Sequence, residues 1–164
     1  MKLKTLLLVA LAGSMNLLSA QLHEEIVVDE NFSPKVIKSE VQWKKELSSS
    51  QYRVLRQAGT EYAFTSELLD NKEEGTYHCA ACEAPLFESE YKYDSGSGWP
   101  SFDRPIKGAI AYDVDYNIGV QRIEEKCANC GSHLGHVFND GPIRTTGKRH
   151  CINGVALKFI PNGK

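Results

Sequence analysis

Hydrophobic and polar residues follow three different patterns along the chain, and each pattern predicts a different structure. Near the amino terminus an almost continuous apolar run extends from Leu6 to Ala12. Between residues 39 and 58 apolar positions recur with helical spacing among polar residues. Beyond residue 59 this spacing fades, and short β-rich segments alternate with turn residues. We therefore expect a leader, then a short helical layer, and then a larger region of antiparallel strands.

The first twenty residues predict a secretory signal peptide. Lys2 and Lys4 precede the apolar run, and small residues stand before the expected cleavage point after Ala20. The alternative is a membrane anchor, but a span needs about 20 apolar residues, and Gly13 and Ser14 interrupt this run. We expect the protein to be exported, periplasmic or secreted, with no membrane association in its mature form.

Two short helices are predicted after residue 38. The segment Ser39–Gln42 fits a capping box, which should start a helix that continues to about Leu47. Three consecutive serines then break the pattern. A second helix is expected over Gln51–Ala58, ending at Gly59.

The remainder of the chain predicts strands. Val155, Leu157 and Phe159 alternate with Ala156 and Lys158, as in a half-buried strand. Glycine-containing turns separate the other β-rich segments. Helices followed by antiparallel strands indicate an α+β or mostly β fold.

Composition and charge limit the possible partners. The chain has 164 residues, of which 41% are hydrophobic and 24% charged, as expected for one globular domain. Residues 21–38 are polar and contain Pro34, so we expect an irregular lead-in before a domain over residues 39–164. Loss of the signal would remove two of 19 basic residues and leave 17 against 21 acidic ones, a net charge near −4. A basic face is not expected, and neither is a nucleic-acid partner.

Four of the five cysteines form two tight pairs, Cys79 with Cys82 and Cys127 with Cys130. Two C-x-x-C pairs on remote loops are typical of a tetrahedral zinc site. Disulfides form readily outside the cytosol, and a C-x-x-C pair can also be a dithiol redox centre, so both alternatives stay open. Gly131 directly follows the second pair and favours zinc, because metal-binding loops commonly need a positive φ there. We predict one structural zinc ion.

The fifth cysteine, Cys151, is a candidate nucleophile. If its segment is extended, Arg149, Cys151 and Asn153 point to one face while His150 and Ile152 point to the other. A guanidinium near the sulfur favours the reactive thiolate, and Asn153 is expected to bond a substrate or fix a neighbour. The alternative is an inert cysteine buried in a core strand. Spacing alone does not decide between the two.

Two histidines and one tryptophan are further candidates. His133 and His136 fit metal ligands, a catalytic acid pair or loop residues, and metal ligation is the least favoured because four thiolates complete a zinc shell. Asp140 is placed to orient His136 or another donor. His150 is expected to be structural. Trp99, in a Gly-Trp-Pro turn, is either a core residue or a hydrophobic wall for a small apolar group.

Three motifs in a fixed order identify a family. They are Ser95–Phe102, His133–Pro142 and Arg149–Gly154, with the two cysteine pairs interleaved. In this order the chain closely resembles the B-type peptide-methionine sulfoxide reductases, from about Gln42 to about Pro161.

The resemblance implies a fold and a reaction. The fold would be two antiparallel sheets, with zinc joining loops at one end. The enzyme would reduce the R epimer of methionine sulfoxide in proteins: a thiolate attacks the sulfur, an acid protonates the oxygen, and the cysteine becomes a sulfenic acid. The implied site comprises the nucleophile Cys151, the substrate-binding residues Trp99 and Phe138, and the catalytic residues His133, His136, Asp140, Arg149 and Asn153.

One departure from the family concerns the reductant. Many relatives carry a second, resolving cysteine, but no uncommitted cysteine remains here if four bind zinc. Ser97 lies in the Trp99 turn, and a serine cannot form a disulfide. We therefore expect a small thiol or a thioredoxin-like partner to reduce the sulfenic acid directly.

Two functions of other classes stay open at this point. One is a secreted zinc-stabilised binding module in which Cys151 is merely buried. The other is a dithiol oxidoreductase that uses one C-x-x-C pair as its redox centre. A Cys151 that reacts with a thiol reagent near neutral pH would argue against the binding module. One tightly held zinc ion per chain would argue against the dithiol oxidoreductase. We expect the reductase to be a monomer.

Overall fold

The structure, a computed structural model, describes residues 26–163, so the predicted signal peptide lies outside the described residues. Residues 26–38 contain no helix or strand. They run past the second cysteine loop, where the Val36 N–H donates to the Asn129 carbonyl at 2.8 Å. Among the described residues no helix is both long and apolar enough to cross a membrane.

The first predicted helix is confirmed, together with its cap. Helix α1 spans Glu40–Glu46. The Ser39 hydroxyl accepts from the Gln42 N–H at 3.3 Å, and the Gln42 side chain accepts from the Ser39 N–H at 2.8 Å. These two bonds satisfy donors that a helix leaves unpaired at its start. The helix turns Trp43, which is 1% exposed, into the core.

The second helix differs from the prediction at both ends. Helix α2 spans Ser49–Leu55 instead of Gln51–Ala58. The serines do not simply break the first helix, because Ser48 caps the second one and forms another capping box with Gln51. The last helical hydrogen bond joins the Arg56 N–H to the Tyr52 carbonyl, and Ala58 cannot continue the helix because it adopts a positive φ of 52°.

The strands form two antiparallel sheets in the described part of the chain, as predicted. A three-stranded sheet has the order β2-β1-β9, and a six-stranded sheet has the order β3-β4-β8-β7-β6-β5. The strands are β1 (Gly75–Cys79), β2 (Pro85–Glu88), β3 (Lys92–Tyr93), β4 (Ser101–Phe102), β5 (Ile110–Asp115), β6 (Arg122–Cys127), β7 (His133–Phe138), β8 (Arg149–Ile152) and β9 (Leu157–Pro161).

The predicted carboxy-terminal strand begins later than expected. Residues Gly154–Ala156 form a 3₁₀ turn, and only Leu157 onward is strand. The reason is the Glu61 carboxylate, which accepts from the backbone N–H groups of Gly154 and Val155 at 2.5 and 3.0 Å. A side chain thus satisfies donors that a strand would have given to its neighbour.

An aromatic cluster joins the two sheets. Tyr77 of β1 packs edge-on against Phe102 of β4 with ring centroids 5.0 Å apart. Phe87 of β2 stacks on the same Phe102 ring at 4.3 Å. All three side chains are fully buried. Strand β4 is only two residues long and pairs directly with β8. The aromatic cluster therefore helps to hold in place the strand that pairs with the one carrying Cys151.

Candidate active site

Cys151 lies in the middle of the six-stranded sheet, in strand β8. Its direct partners are Ser101 in β4 and His136 in β7. His136 pairs in turn with Glu124 in β6. Directly opposed residues of antiparallel strands place their side chains on the same face. The ladder therefore lines up a hydroxyl, a thiol, an imidazole and a carboxylate in one row.

The alternation predicted around Cys151 is present in β8. His150 and Ile152 are 2% and 0% exposed, whereas Arg149 and Cys151 are half-buried on the other face. Asn153 lies just beyond the strand and is buried. His150 faces the core, where its Nδ1 lies 2.5 Å from the Glu125 carboxylate, and this agrees with the structural role predicted for it.

Gly135 allows β7 to approach closely the strand that carries Cys151. A Cβ at this position would lie 2.0 Å from the carbonyl oxygen of Cys151. No side chain larger than hydrogen fits there unless the strands move apart. The glycine therefore keeps His136 directly opposite Cys151.

The sulfur opens into a small pocket of about 120 Å³. Five predicted site residues line it: Trp99, His136, Phe138, Cys151 and Asn153. The sequence analysis missed Thr60, Arg122 and Gly135, which line it as well. His133, Asp140 and Arg149 are not among the lining residues. His133 contacts His136 and Arg149 contacts Phe138, whereas Asp140 contacts Arg149.

Trp99 and Asn153 are fixed by one loop residue that the sequence analysis did not identify. The Trp99 indole N–H donates to the Glu61 carbonyl at 3.2 Å. The Glu61 N–H donates to the Asn153 side-chain oxygen at 2.9 Å, and the Asn153 amide donates to the Leu134 carbonyl at 2.9 Å. Asn153 therefore fixes its neighbours, one of the two roles predicted for it.

His136 is oriented by Asp115, not by Asp140. Its Nε2 lies 2.7 Å from the Asp115 carboxylate, which also binds the Arg122 guanidinium at 2.5 Å. A hydrogen bond from the Asn117 N–H, together with His136 and Arg122, lowers the pKa of Asp115 to about 2 despite its burial. Burial lowers the pKa of His136, and the Asp115 hydrogen bond only partly opposes this. His136 is therefore mainly neutral near pH 7.

His133 has a carboxylate partner of its own. Its Nδ1 lies 2.6 Å from Glu124, and its ring centroid lies 5.5 Å from that of His136. Its other nitrogen, Nε2, is buried without a hydrogen-bond partner among the described residues. Burial raises the pKa of Glu124, but His133 and Lys126 outweigh this effect and hold the pKa below its usual value.

Asp140 binds the other candidate donor, Arg149. Two parallel bonds of 2.9 Å join the carboxylate to the guanidinium, and this hydrogen bonding lowers the pKa of Asp140. The same guanidinium lies 4.5 Å from the centre of the Phe138 ring. Such a bidentate pair holds a long side chain in one orientation, here beside the sulfur and the pocket wall.

The Cys151 sulfur is not a pre-formed thiolate. Burial raises its pKa, and the hydrogen bond with Ser97 and the charge of Arg149 lower it by less. The buried Glu125 acts in the same direction as burial. Arg149 therefore favours the thiolate, as predicted, but desolvation is the larger effect and keeps the pKa of Cys151 above its usual value in the free protein.

The other four cysteines form one cluster, and their sulfurs all lie within 4.8 Å of one another. The sulfurs of Cys79 and Cys130 are 3.8 Å apart, and those of Cys82 and Cys127 are 3.6 Å apart. Zn–S bonds of about 2.3 Å in a tetrahedron give S–S edges of about 3.8 Å, so the cluster fits a zinc ion. All five cysteines of the described chain are free of disulfides. This single four-thiol cluster argues against a separate C-x-x-C redox centre.

Both cysteine loops have the same backbone geometry. The Glu83 N–H donates to the Cys79 carbonyl, and the Gly131 N–H donates to the Cys127 carbonyl, each at 2.8 Å. The positive φ predicted for Gly131 is confirmed at 70°, and Glu83 takes the equivalent conformation with a φ of 59°. The four sulfurs are thus presented by two similar turns.

Replacing Asp115 by asparagine should lower the pKa of His136 further, by about one unit. The substitution removes the negative charge that favours imidazolium, while burial and Arg122 continue to oppose it. An NMR titration of the His136 ring protons measures the shift. Asp113→Asn, on the same strand but paired with Lys126, should leave the titration unchanged. An unchanged or raised pKa in Asp115→Asn would contradict the assigned pairing.

Comparison with known proteins identifies the family of this chain. The model of the SelR domain matches residues 47–161. A peptide methionine sulfoxide reductase MsrB from Leptospira interrogans is 58% identical over 126 residues, covering 76% of this chain and 95% of the relative. Proteins of the same name from Chromohalobacter salexigens and Agrobacterium fabrum are 55% and 51% identical over 130 residues, covering 98% and 96% of their lengths. The chain therefore belongs to the SelR-domain family of B-type peptide methionine sulfoxide reductases.

Proposed function

We propose that this protein reduces methionine-R-sulfoxide in oxidised proteins or peptides to methionine, with Cys151 as the nucleophile. The observation that carries the proposal is the pocket in which the Cys151 thiol meets Trp99, Phe138 and His136. A free thiol, two aromatic walls and an imidazole are the groups that this reaction needs. The family membership supports the same activity.

The proposed reaction transfers one oxygen atom. The Cys151 sulfur attacks the sulfoxide sulfur, the S–O bond of the substrate breaks, and methionine leaves. Cys151 is oxidised to a sulfenic acid, and the substrate is reduced by the same two electrons. The proton of the resting thiol balances the step, because the sulfenic acid carries one O–H in place of the S–H.

His136 and His133 are proposed to assist the oxygen. His136 lines the pocket, and Asp115 orients its ring. The buried Nε2 of His133 has no partner among the described residues and so is available to a polar group. Because one nitrogen of each ring is bonded to a carboxylate, a histidine donates to the sulfoxide oxygen only when it is protonated at both nitrogens, so it takes up a proton equivalent to the one that the Cys151 thiol releases. The imidazolium then stabilises the charge that develops as the S–O bond breaks.

The pocket also gives a reason for selectivity between the two sulfoxide epimers. The substrate sulfur carries a methyl group, an oxygen and the rest of the side chain in a fixed handedness. Trp99 and Phe138 form apolar walls suited to the methyl group, while His136 offers a polar contact. Only one epimer places methyl and oxygen on these two sides with the sulfur facing Cys151.

The reductant is proposed to be an external thiol, either a small molecule or a thioredoxin-like protein. Four of the five cysteines lie in the cluster, so the described chain has no second cysteine outside the cluster that could form a disulfide with Cys151. The nearest side chain of suitable size is Ser97, whose oxygen lies 3.8 Å from the Cys151 sulfur. An external thiol would attack the sulfenic acid, release water and form a mixed disulfide that a second thiol resolves.

We further propose that the four-cysteine cluster holds one structural zinc ion and that the protein repairs oxidative damage outside the cytosol. Three of the four cysteines are buried, as suits a closed structural site without an open position. The export proposal rests on the first twenty residues. Amino-terminal sequencing of the mature protein tests it, and an intact Met1 would count against it.

Cys151→Ser should abolish methionine formation, because no other described cysteine lines the pocket. The assay follows methionine released from peptides that carry either the R or the S sulfoxide. Wild-type protein should turn over the R peptide alone. The variant should keep the wild-type melting temperature and zinc content, and activity above a tenth of wild type would sink the assignment.

Cys130→Ala should lower the melting temperature strongly and reduce bound zinc. An incomplete thiolate shell loses metal-binding free energy, and that free energy is also folding free energy. Thermal melts with and without a strong chelator, with zinc measured by mass spectrometry, give the result. The matched control is Cys151→Ala, which removes a thiol outside the cluster. Equal melting temperatures for the two variants would contradict a structural zinc site.

One turnover without reductant should give one methionine per enzyme and a trappable sulfenic acid on Cys151, with no intramolecular disulfide. The reason is that the other thiols are held in the cluster. In Ser97→Cys the same turnover should end in a disulfide with Cys151, because the two side chains already lie 3.8 Å apart. A wild-type disulfide between Cys151 and a cluster cysteine, with zinc released, would overturn the one-cysteine cycle.

A further inference from the structure

Three serine hydroxyls form a chain that ends at the nucleophile. The Ser97 oxygen lies 3.8 Å from the Cys151 sulfur. The Ser95 oxygen lies 2.8 Å from that of Ser97 and 2.8 Å from that of Ser101. The Ser101 oxygen lies 3.1 Å from the carbonyl oxygen of Trp99. An unbroken series of hydrogen bonds thus connects a fixed carbonyl to the reactive sulfur.

The fold holds this chain in place from both ends. Ser101 is 1% exposed and is the direct β4 partner of Cys151, so both side chains point to the same face. The loop that carries Ser97 returns over this face through Gly96 and Gly98, which have φ values of 69° and 89°. The Ser97 N–H also donates to the Ser95 oxygen at 3.3 Å, which fixes the two serines relative to each other.

The hydrogen bonds of the three serines can be oriented in two ways, either away from the sulfur or toward it. A hydroxyl has one proton to donate, whereas the Trp99 carbonyl can only accept. With a neutral thiol, the S–H donates to Ser97, and each hydroxyl donates onward until Ser101 donates to the carbonyl. When the thiol loses its proton to solvent, the sulfur becomes an acceptor and Ser97 donates to it. Ser95 then donates to Ser97, and Ser101 donates to Ser95 instead of to the Trp99 carbonyl. No serine gains or loses a proton in this change.

We propose that Ser97 is a catalytic residue that donates a hydrogen bond to the Cys151 thiolate, and that Ser95 and Ser101 are positioning residues that direct its hydroxyl to the sulfur. The inference rests on the proposed function, in which Cys151 is the nucleophile. It assigns a role to a side chain whose hydroxyl lies 3.8 Å from this sulfur and that cannot form a disulfide. Hydrogen bonds of neighbouring hydroxyls polarise one another, so the two outer serines strengthen the donor that touches the sulfur.

The other groups around Cys151 are not altered when Ser97 is replaced. Arg149 on the same strand also lowers the pKa of Cys151, through its charge and a hydrogen bond that acts less than that of Ser97, and Asp140 holds this guanidinium. His136 on β7 is held by Asp115. Burial raises the pKa of Tyr93 on β3 to about 12, so this phenol stays uncharged. The remaining charged groups are unchanged by a serine substitution. Glu125 on β6 lies with His150 on the core face, from which its charge acts against the thiolate, and Arg122 on β6 lines the pocket.

The thiolate can be measured without any methionine sulfoxide. Iodoacetamide alkylates thiolates, so its rate with Cys151 in the zinc-bound protein follows the ionised fraction as pH is raised. Mass spectrometry confirms which cysteine has reacted. Ser97→Ala should raise the pKa obtained from this profile by about one unit, since hydrogen bonds to charged groups are among the strong ones. At a fixed pH below both pKa values, alkylation should slow about tenfold.

Two further variants separate a hydrogen-bond effect from a change in loop structure. Ser97→Thr keeps the hydroxyl and should restore the wild-type profile. Ser50→Ala, in helix α2, controls for the loss of a serine elsewhere and should leave the profile unchanged. A wild-type profile for Ser97→Ala, with the melting temperature retained, would overturn the catalytic role of Ser97.

The positioning role is tested by a double-mutant cycle. Ser101→Ala should raise the Cys151 pKa by less than Ser97→Ala does, and it should add nothing when Ser97 is already alanine, because it acts only through that hydroxyl. If Ser101→Ala changed the Cys151 pKa equally in the wild-type protein and in Ser97→Ala, Ser101 would not act through the Ser97 hydroxyl, and its positioning role would be wrong. Failure of these tests leaves the proposed function standing, whereas full activity of Cys151→Ser would remove the function regardless of the alkylation results.

Discussion

The pairing of strand β8 with β4 on one side and β7 on the other is the constraint on which this site depends. The ladder places Cys151 opposite Ser101 and His136 at the same time. Backbone hydrogen bonds fix these positions, and a shift of one residue would turn the thiol into the core and His150 outward. Gly135 permits the close contact between β7 and β8. The site is therefore built first by backbone geometry and only then by side-chain chemistry.

Paired charges supply the second level of organisation. His133, His136 and Arg149 each bind a carboxylate, and two of those carboxylates come from strands β5 and β6. The two histidine pairs lie where water is largely excluded, so their interactions are stronger than on an open surface. The Arg149–Asp140 pair is more exposed, and its two parallel bonds fix the orientation of the guanidinium. The same exclusion of water raises the pKa of Cys151. The protein thus combines well-oriented polar groups with a sulfur that is a thiol at rest.

The cysteine cluster connects the two sheets, which are not joined to each other by strand pairing in the described chain. Cys79 ends strand β1 of the smaller sheet, and Cys127 ends strand β6 of the larger sheet. A metal ion bound by both loops would tie the two sheets together at one end, while the cluster of Tyr77, Phe87 and Phe102 joins them through apolar contact. The chemistry at Cys151 and the proposed zinc are therefore separate in space and in role.

The sequence by itself determined the features that depend on local pattern. The capping box at Ser39, the two cysteine pairs, the positive φ at Gly131 and the alternation around Cys151 are set by neighbouring residues, and each is present in the structure. The ordered motifs identified the family for the same reason. The start of the last strand was misplaced, because the side chain that interrupts it belongs to Glu61, far away in the chain.

Only the tertiary structure decided which groups meet. Asp140 is closer in sequence to His136 than Asp115 is, yet Asp115 is the partner, because β5 and β7 flank β6 and their ends come together. Arg122, Thr60 and Glu61 carried no local signal of a site, since their roles arise from contacts across the sheet and from a loop folded over it. The protonation of Cys151 was decided there as well, because desolvation depends on everything packed around the sulfur and not on its neighbours in sequence.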